Sequence, residues 1–219
     1  MVARTRPAST ATTVALIGIV LVIVAIQLWL PGSVTVGPRW LVPVIELSGI
    51  PIVIVLTVRL GSDQPVVRAI MTAYLVFLVL ACVMNAVLLL ASLLRGSDDS
   101  GEYLLFAGFG VLAINVLSFG LVYWWIDGGG PGRRLAGAVV APDFLFPQQG
   151  QGQHNWRPGL IDYLFTAYTN IIAFSPTDTM PLSHRVKILF TVQSATALLT
   201  IVVTLSRAVN LIPGGVPGS

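Results

Sequence analysis

The stretch YLFTAYTNIIAFSPTDTMP, residues 163–181, determines how this chain can fold. It begins as an apolar, aromatic helix, breaks at Ser175-Pro176 into a polar turn, and leads into a long apolar helix near Leu182. About 10–15 apolar residues are too few to cross a bilayer as a helix and suit a re-entrant segment. A backbone break at that depth persists only where protein or a water-filled cavity surrounds it. We therefore expect this segment to line a pathway.

The composition places the rest of the chain in a membrane as well. Of 219 residues, 55% are hydrophobic and 10% are charged, whereas a soluble domain carries about 25% charged residues. The net charge of +3 is scattered and forms no basic patch of the kind that nucleic acid requires. Cys82 has no second cysteine to pair with and is interpreted as a small packing residue. The lipid bilayer is therefore the expected partner, and nucleic acid is not.

The apolar runs predict an all-α integral membrane protein with about five transmembrane helices plus one re-entrant or half-length helix before the last span. The run behind Arg4 and Arg6 is longer than the apolar part of a signal peptide and lacks a cleavage site, so it is expected to stay as the first span. The five full spans are expected at about residues 13–30, 40–60, 66–94, 103–126 and 182–211, lengths that fit a bilayer.

The same pattern divides the chain into five regions. They are an N-terminal tail (1–12), a four-helix transmembrane region (13–127), a Gly/Gln/Pro-rich loop (128–159), the broken segment with the last span (160–212), and a disordered tail (213–219).

Arginine placement predicts the orientation, because cytoplasmic loops carry an excess of Lys and Arg. With the N-terminus inside, Arg39 and Arg95 lie outside. The sides of Arg157, Arg185 and Lys187 depend on how the broken segment is placed. The cytoplasmic side then holds six arginines: Arg4, Arg6, Arg59, Arg68, Arg133 and Arg134.

Residues 168–178, YTNIIAFSPTD, resemble the pore loop of tetrameric potassium channels, in which a short pore helix ends in Thr-Val-Gly-Tyr-Gly-Asp and an inner helix follows. Thr169 or Asn170 takes the threonine place, and residues 172–175 fall on Val-Gly-Tyr-Gly. Both glycine positions carry a Cβ here and Pro176 follows, so the resemblance implies a pore loop with a degenerate filter. After four spans from an inside N-terminus this loop faces the cytoplasm, whereas the loop of the channel family faces outward.

A second resemblance covers mainly the C-terminal third. Its motifs are DFLFPQ (143–148), DYL (162–164), FSPTDTMPLS (174–183) and RAVN (207–210). They are similar to those of a bacterial family of small, uncharacterised integral membrane proteins. The resemblance implies a multi-pass protein of the bacterial inner (plasma) membrane, here with a cytoplasmic N-terminus, and carries no known reaction.

The broken segment supplies the candidate pore or ion-binding residues, because helix breaks expose carbonyls and helix ends that can hold ions. An alternative is that Asp178 caps the following helix while Ser175 and Thr177 satisfy turn amides. The candidates are Asn170, Ala173, Phe174, Ser175, Thr177 and Asp178.

Two further sets of polar residues lie inside predicted spans. Gln193, Thr200 and Thr204 follow helical spacing and are candidates for a hydrophilic pathway wall, with close helix packing as the alternative. Glu46 is an intramembrane acid and thus a functional candidate, unless Pro43 starts the helix and leaves Glu46 in its first turn. Its expected test partners are Asn85 and Asn115, each of which alone is interpreted as an interhelical hydrogen bond.

No catalytic motif emerges, so we expect no enzyme and no cofactor. His154 and His184 lack metal-ligand spacing, and no metal site is expected. The first functional hypothesis is a channel-like pore for ions, such as a monovalent cation, or for small polar solutes. Homo-oligomerisation would bring copies of residues 170–178 around one axis. The alternative is a structural or accessory membrane protein without transport activity.

Overall fold

The computed structural model describes residues 10–61, 64–95, 101–135, 141–150, 156–173 and 179–211, and most of these are helical. The helices are α1 (Thr10–Trp29), α2 (Leu41–Leu60), α3 (Pro65–Arg95), α4 (Gly101–Ile126), α5 (Pro131–Leu135), α6 (Pro147–Gly150), α7 (Leu160–Ile172) and α8 (His184–Leu211). Two 3-10 turns, Gly32–Val34 and Asp127–Gly129, follow α1 and α4. Two short strands, β1 (Phe144–Leu145) and β2 (Met180–Pro181), pair antiparallel.

Four helices in the described ranges are long and apolar enough to cross a membrane: Leu41–Leu60, Pro65–Arg95, Glu102–Gly129 and His184–Ser206. The expected helical architecture is confirmed, and these four long apolar helices are compatible with a membrane-embedded protein. The apolar part of α1, Thr13–Trp29, is shorter than these four, so length alone does not establish a fifth span. Helix α7 has only 13 residues and precedes the last long helix.

The surface and the interior of the bundle have the polarity expected in lipid. Large apolar side chains such as Leu80, Ile188 and Leu205 are exposed, while Glu46 and Gln193 are buried. Hydrocarbon accepts exposed apolar side chains and penalises exposed polar ones, so polar groups in such a protein turn toward the bundle interior. This arrangement is compatible with a membrane-embedded protein.

Helix α4 is the centre of the bundle and packs against α1, α3, α7 and α8. Small residues allow the close approach. A Cβ added at Gly108 would lie 1.9 Å from Thr204 Oγ1 of α8, and one at Gly120 would lie 2.6 Å from Leu164 Cδ2 of α7. Without a hydrophobic driving force between helices in lipid, such close packing is a main source of association.

One end of the bundle, here called the Asp127 end, gathers the end of α4 and the starts of α3, α7 and α8. Arg68 at the start of α3 donates to the Gly129 carbonyl. Tyr163, in the first turn of α7, bonds to Asp127, and Arg185 at the start of α8 bonds to Asp143. Helices α7 and α8 therefore begin at the same end of the molecule.

Candidate functional site

Among the described residues, three groups of hydrogen-bonded polar side chains, most of them buried, stand out, and we call them the Gln193, Glu46 and Asp127 clusters. The Gln193 cluster comprises Asn115, Tyr123, Asn170 and Gln193; the Glu46 cluster comprises Gln27, Glu46, Tyr74 and Asn85; and the Asp127 cluster comprises Asp127, Arg134, Asp143, Tyr163 and Arg185.

The Gln193 cluster joins α4, α7 and α8 deep in the bundle. The Gln193 side chain is fully buried, and its Nε2 donates to Asn115 Oδ1 at 3.1 Å and to the Ala167 carbonyl at 3.0 Å. Its Oε1 accepts hydrogen bonds from the Tyr123 hydroxyl at 2.7 Å and from Asn170 Nδ2 at 2.8 Å. Both ends of this amide are therefore satisfied, as a buried polar group requires.

Helix α7 reaches this cluster through one face. Tyr163, Thr166, Ala167, Asn170 and Ile171 are its buried residues and recur at helical spacing. Asn170 also donates to the Phe190 carbonyl of α8 at 3.3 Å, and Ser194 donates back to the Asn170 carbonyl at 3.4 Å. The inner end of α7 is thus tied to α8 through main-chain and side-chain groups together.

The Glu46 cluster joins α1, α2 and α3. Gln27 Nε2 donates to Glu46 Oε1 at 3.2 Å, and Asn85 Nδ2 donates to Gln27 Oε1 at 3.1 Å. The Tyr74 hydroxyl donates to the Glu46 main-chain carbonyl at 2.8 Å. Glu46 itself is fully buried, and its Oε2 has no hydrogen-bond partner among the described residues. An unpartnered carboxyl oxygen in a buried position is costly, so Glu46 remains a candidate for binding a proton or a cation.

Cys82 lies between the Glu46 cluster and Asn115 of the Gln193 cluster. Cys82 is fully buried on α3, one helical turn from Asn85, and its thiol interacts with the Asn115 side chain. Asn115 in turn bonds to Gln193. Polar side chains therefore follow one another across the bundle from α2 to α7.

The Asp127 cluster closes the end of the bundle. Asp127 Oδ1 accepts the main-chain amides of Asp143 at 2.8 Å and Phe144 at 3.3 Å, while its Oδ2 accepts the Tyr163 hydroxyl. Arg185 Nε donates to Asp143 Oδ1 at 2.7 Å, and its Nη2 pairs with the other carboxylate oxygen. The strand pair β1–β2 is held against the end of α4 in this way.

The electrostatics of this cluster follow from its contacts. Partial burial by itself raises the pKa of the Asp143 carboxyl. The hydrogen bond and positive charge of Arg185 lower it, and so do hydrogen bonds from Ser183 and the Gly128 amide. These contacts outweigh burial, and the pKa of Asp143 lies below its usual value. Burial raises the pKa of the Tyr163 phenol, which therefore stays protonated and donates. Arg134 lies 5.2 Å from the centre of the Tyr163 ring, an attractive cation–π distance.

The structure describes only some of the candidates from the broken segment. Asn170 is buried in the Gln193 cluster, and Ala173 follows α7 with its side chain exposed. Phe174, Ser175, Thr177 and Asp178 lie outside the described residues.

The candidates on the last span lie on the inner face of α8. Gln193 is the centre of its cluster, whereas the hydroxyls of Thr200 and Thr204 donate to the carbonyls of Thr196 and Thr200 in their own helix. Thr204 also packs against Gly108 of α4.

Glu46 contacts only one of its two expected test partners through the cluster. Asn85 is linked to it through Gln27, while Asn115 belongs to the Gln193 cluster. Helix α2 begins at Leu41, so Pro43 lies in its first turn and Glu46 lies beyond it.

Sequence reasoning did not single out Gln27, Tyr123, Asp127, Asp143 or Arg185 as site residues. Gln27 had a usable signal, a lone amide inside an apolar run.

Among the described residues, no group of three or more His, Cys, Asp or Glu side chains is placed to hold a metal ion. Comparison with protein-family models, curated proteins and solved structures gave no match to this chain.

Proposed function

We propose that this chain is a membrane protein with five transmembrane helices, α1 to α4 and α8, and that α7 is a re-entrant helix. We further propose that copies of the chain form a channel-like pore for monovalent cations or small polar solutes around residues 170–178. The observation that carries this proposal is the depth at which α7 ends.

That depth follows from helix geometry. Gln193 follows His184, the first residue of α8, by nine residues, which is about 14 Å along a helix. Asn170, near the end of α7, is bonded to Gln193. The hydrocarbon core of a bilayer is about 30 Å thick, so in the proposed topology, with His184 at the surface of that core, α7 ends near its middle. Thr166 and Thr179 bond at 3.2 Å, which supports a chain that turns back toward the Asp127 end.

A helix that ends at mid-depth has consequences for what surrounds it. The last carbonyls of a helix have no partners within the helix, and hydrocarbon offers none. Some are satisfied here: the Thr169 carbonyl accepts the Ala173 amide, and the Asn170 carbonyl accepts Ser194. The partial negative charge of a helix C-terminus also favours a cation nearby. Water, a permeant cation or another copy of the chain would meet these requirements.

In the proposed oligomer, the outer face of α7 is the surface that contacts the neighbouring copy. Ile161, Phe165, Tyr168 and Ile172 form an exposed apolar stripe along the whole helix. A symmetric homo-oligomer would cover this stripe and bring the ends of several α7 helices together.

Charge placement supports a cytoplasmic Asp127 end. Arg157 donates to the Arg134 carbonyl, and Arg185 bonds to Asp143, so both lie with Arg68 at this end. By the positive-inside rule the N-terminus is then cytoplasmic, in the bacterial inner membrane that the motif resemblance implies.

A structural or accessory role without transport is the second candidate. One observation favours it: the Asn170 amide donates within its own protomer, to Gln193 and to the Phe190 carbonyl, rather than toward the outer face of α7. In that role α7 would be a packing element and its exposed stripe a contact surface.

Ion flux into liposomes tests the two candidates. Wild type is expected to conduct above empty liposomes, Asp178→Ala and Asn170→Ala to conduct less, and Thr191→Ala to match wild type. Thr191 is a suitable control because it is exposed on α8 and its hydroxyl donates to the Lys187 carbonyl of its own helix. Background flux in wild type and all variants would refute the pore and leave the accessory role.

Cysteine labelling tests the topology separately. In a Cys82→Ser background, a cysteine replacing Ala141 is expected to react only from the cytoplasmic side, and one replacing Ser219 only from the outside. Labelling of both from one side would contradict five spans with a re-entrant α7.

A further inference from the structure

The Glu46 carboxyl is enclosed by helices near the end of the bundle opposite the Asp127 end. It lies five residues after Leu41, the first residue of α2, which is about 8 Å along a helix. Its partner Gln27 lies two residues before Trp29, where α1 ends, and Trp29 packs on Tyr103 near the start of α4. Glu46 is nevertheless fully buried, so water does not solvate its carboxyl in this arrangement.

The hydrogen bonds of this carboxyl are incomplete. Glu46 Oε1 accepts from Gln27 Nε2 at 3.2 Å, whereas Oε2 has no partner in the part of the chain that the structure describes. A single amide bond does not replace the water molecules that an ionised carboxylate loses on burial. The charged form of Glu46 is therefore poorly accommodated, while a neutral carboxyl carries a much smaller penalty.

The helices around Glu46 provide no positive charge to offset its own. Helix α2 packs against α1, which has no titratable side chain, and against α3, which faces Glu46 with Tyr74 and Cys82. Arg39 and Arg95 lie toward the same end of the bundle, but both are exposed and neither pairs with this carboxyl. The other arginines of α2 and α3 lie toward the Asp127 end: Arg59 and Arg68.

A metal cation would need more oxygen atoms than this cluster offers. A monovalent cation that leaves water replaces its hydration shell with several oxygen ligands. Apart from Glu46 Oε2, the oxygens of the cluster already accept hydrogen bonds: Glu46 Oε1 from Gln27, Gln27 Oε1 from Asn85, and the Glu46 carbonyl from Tyr74. A proton needs only one oxygen, and it removes the charge that burial penalises.

We propose that Glu46 is a proton-binding site, with its carboxyl neutral at pH 7 and the proton on Oε2. Oε1 accepts the Gln27 hydrogen bond with the carboxyl protonated or ionised. Uptake or release of the proton therefore changes the charge inside the bundle by one unit without removing this contact. The inference does not depend on the proposed pore, because α1, α2 and α3 form the site, whereas the pore concerns α7.

Labelling of the full chain in liposomes with dicyclohexylcarbodiimide, an apolar reagent for protonated carboxyls, tests the proposal. The carboxyl O–H adds across one C=N bond, so that oxygen bonds to carbon and the proton moves to nitrogen. The adduct rearranges to a stable N-acylurea, and no group leaves. Peptide mapping is expected to find this adduct at Glu46 at pH 7, although a water-exposed glutamate, with a pKa of about 4.3, is protonated in only about 1 molecule in 500.

Two variants identify the labelled group. Glu46→Gln, which has the shape of the neutral acid, is expected to lose the adduct. Glu102→Gln is the matched control, because Glu102 is exposed in the first turn of α4, and it is expected to be labelled as wild type.

Titrations separate a proton site from a cation site. Labelling should fall about tenfold per pH unit once the carboxyl ionises, and exchanging choline chloride for sodium or potassium chloride at pH 7 should leave it unchanged. Infrared spectra, which need no access by a reagent, give a second measurement. The C=O stretch of a protonated acid is expected in wild type at pH 7 and is absent from Glu46→Gln. Carboxylate bands of Glu46 at pH 7, or protection from labelling by sodium or potassium, would overturn the proposal.

Discussion

Replacing Gln193 with leucine tests whether the Gln193 cluster holds α7 to the bundle. Leucine has a similar size, so the change removes hydrogen bonds without leaving a large cavity. Four side-chain hydrogen bonds are lost, with partners Asn115, Tyr123, Asn170 and the Ala167 carbonyl. All of these groups lie in the interior, where water does not replace the lost partner.

The magnitude follows from bonds measured between membrane helices. Such bonds average about 0.6 kcal/mol each, with a maximum of about 1.7 kcal/mol. Four bonds at the average give a loss of about 2.4 kcal/mol, and we expect Gln193→Leu to lower the free energy of unfolding by about 2–3 kcal/mol. Reversible unfolding in mixed micelles with increasing sodium dodecyl sulfate measures this difference.

Thr191→Leu is the control, because Thr191 lies two residues away on the exposed face of α8; a change of less than about 0.5 kcal/mol is expected. A double-mutant cycle with Asn170→Leu isolates the direct bond, and a coupling of about 0.6 kcal/mol is expected. A loss below about 0.5 kcal/mol in Gln193→Leu, or no coupling with Asn170, would refute the reasoning that this amide fastens α7 to α8.

Three further outcomes are expected from the same unfolding assay. Gly108→Ala should lower the free energy of unfolding by about 1–3 kcal/mol, because the new Cβ would lie 1.9 Å from Thr204 Oγ1. Gly18→Ala is the control and should change it little, because the space around Gly18 is open. Equal losses in the two variants would contradict the close α4–α8 contact. Gln27→Leu should lower the free energy of unfolding by about 1–2 kcal/mol, because Glu46 and Asn85 both lose a hydrogen-bond partner. Glu46→Gln keeps an oxygen that accepts from Gln27, so its loss of stability should be smaller. A larger loss in Glu46→Gln than in Gln27→Leu would argue against these hydrogen bonds. Asp143→Asn should cost about 1–2 kcal/mol at pH 7, a modest value since Arg185 is 57% exposed. The pKa of Asp143 is lowered in the folded state, so its stabilisation is complete above the unfolded carboxyl pKa and is lost as the pH falls through the lower folded value. The gap between wild type and Asp143→Asn should therefore close in acid, and a gap that widens below pH 4 would contradict the Arg185 pairing.

The long apolar helices could be predicted from sequence because each is a local property. Whether a run of residues such as 66–94 can cross a bilayer depends on its own length and polarity. The half-length α7 was foreseeable for the same reason, since its apolar run is short and stops before Pro176. The bounds of the long helices agree with the expected apolar runs to within a few residues, as with α3 at Pro65–Arg95 against the expected 66–94.

Which polar side chains bond to one another was harder to predict from the sequence. Asn115 was expected near Glu46 but bonds to Gln193, because α4 turns that side chain toward α8 and α7. Asp143 and Phe144 lie in a stretch whose composition is that of a loop, yet both are buried where β1 meets the end of α4. Partners separated by tens of residues leave no local pattern in the chain.

The amino-acid sequence by itself determined which segments form long apolar helices, a pattern typical of membrane proteins, and the order of those helices along the chain. Hydrocarbon penalises any unpaired polar backbone, so a chain of this composition forms helices wherever its apolar runs are long enough. Only the tertiary structure decided which buried amides and carboxyls share hydrogen bonds. It also decided that α7 and α8 begin at the same end of the bundle. Finally, it left one oxygen of Glu46 without a partner among the described residues. These features depend on how helices rotate and pack against one another, and that rotation is set by contacts such as Gly108 against Thr204 rather than by any single segment.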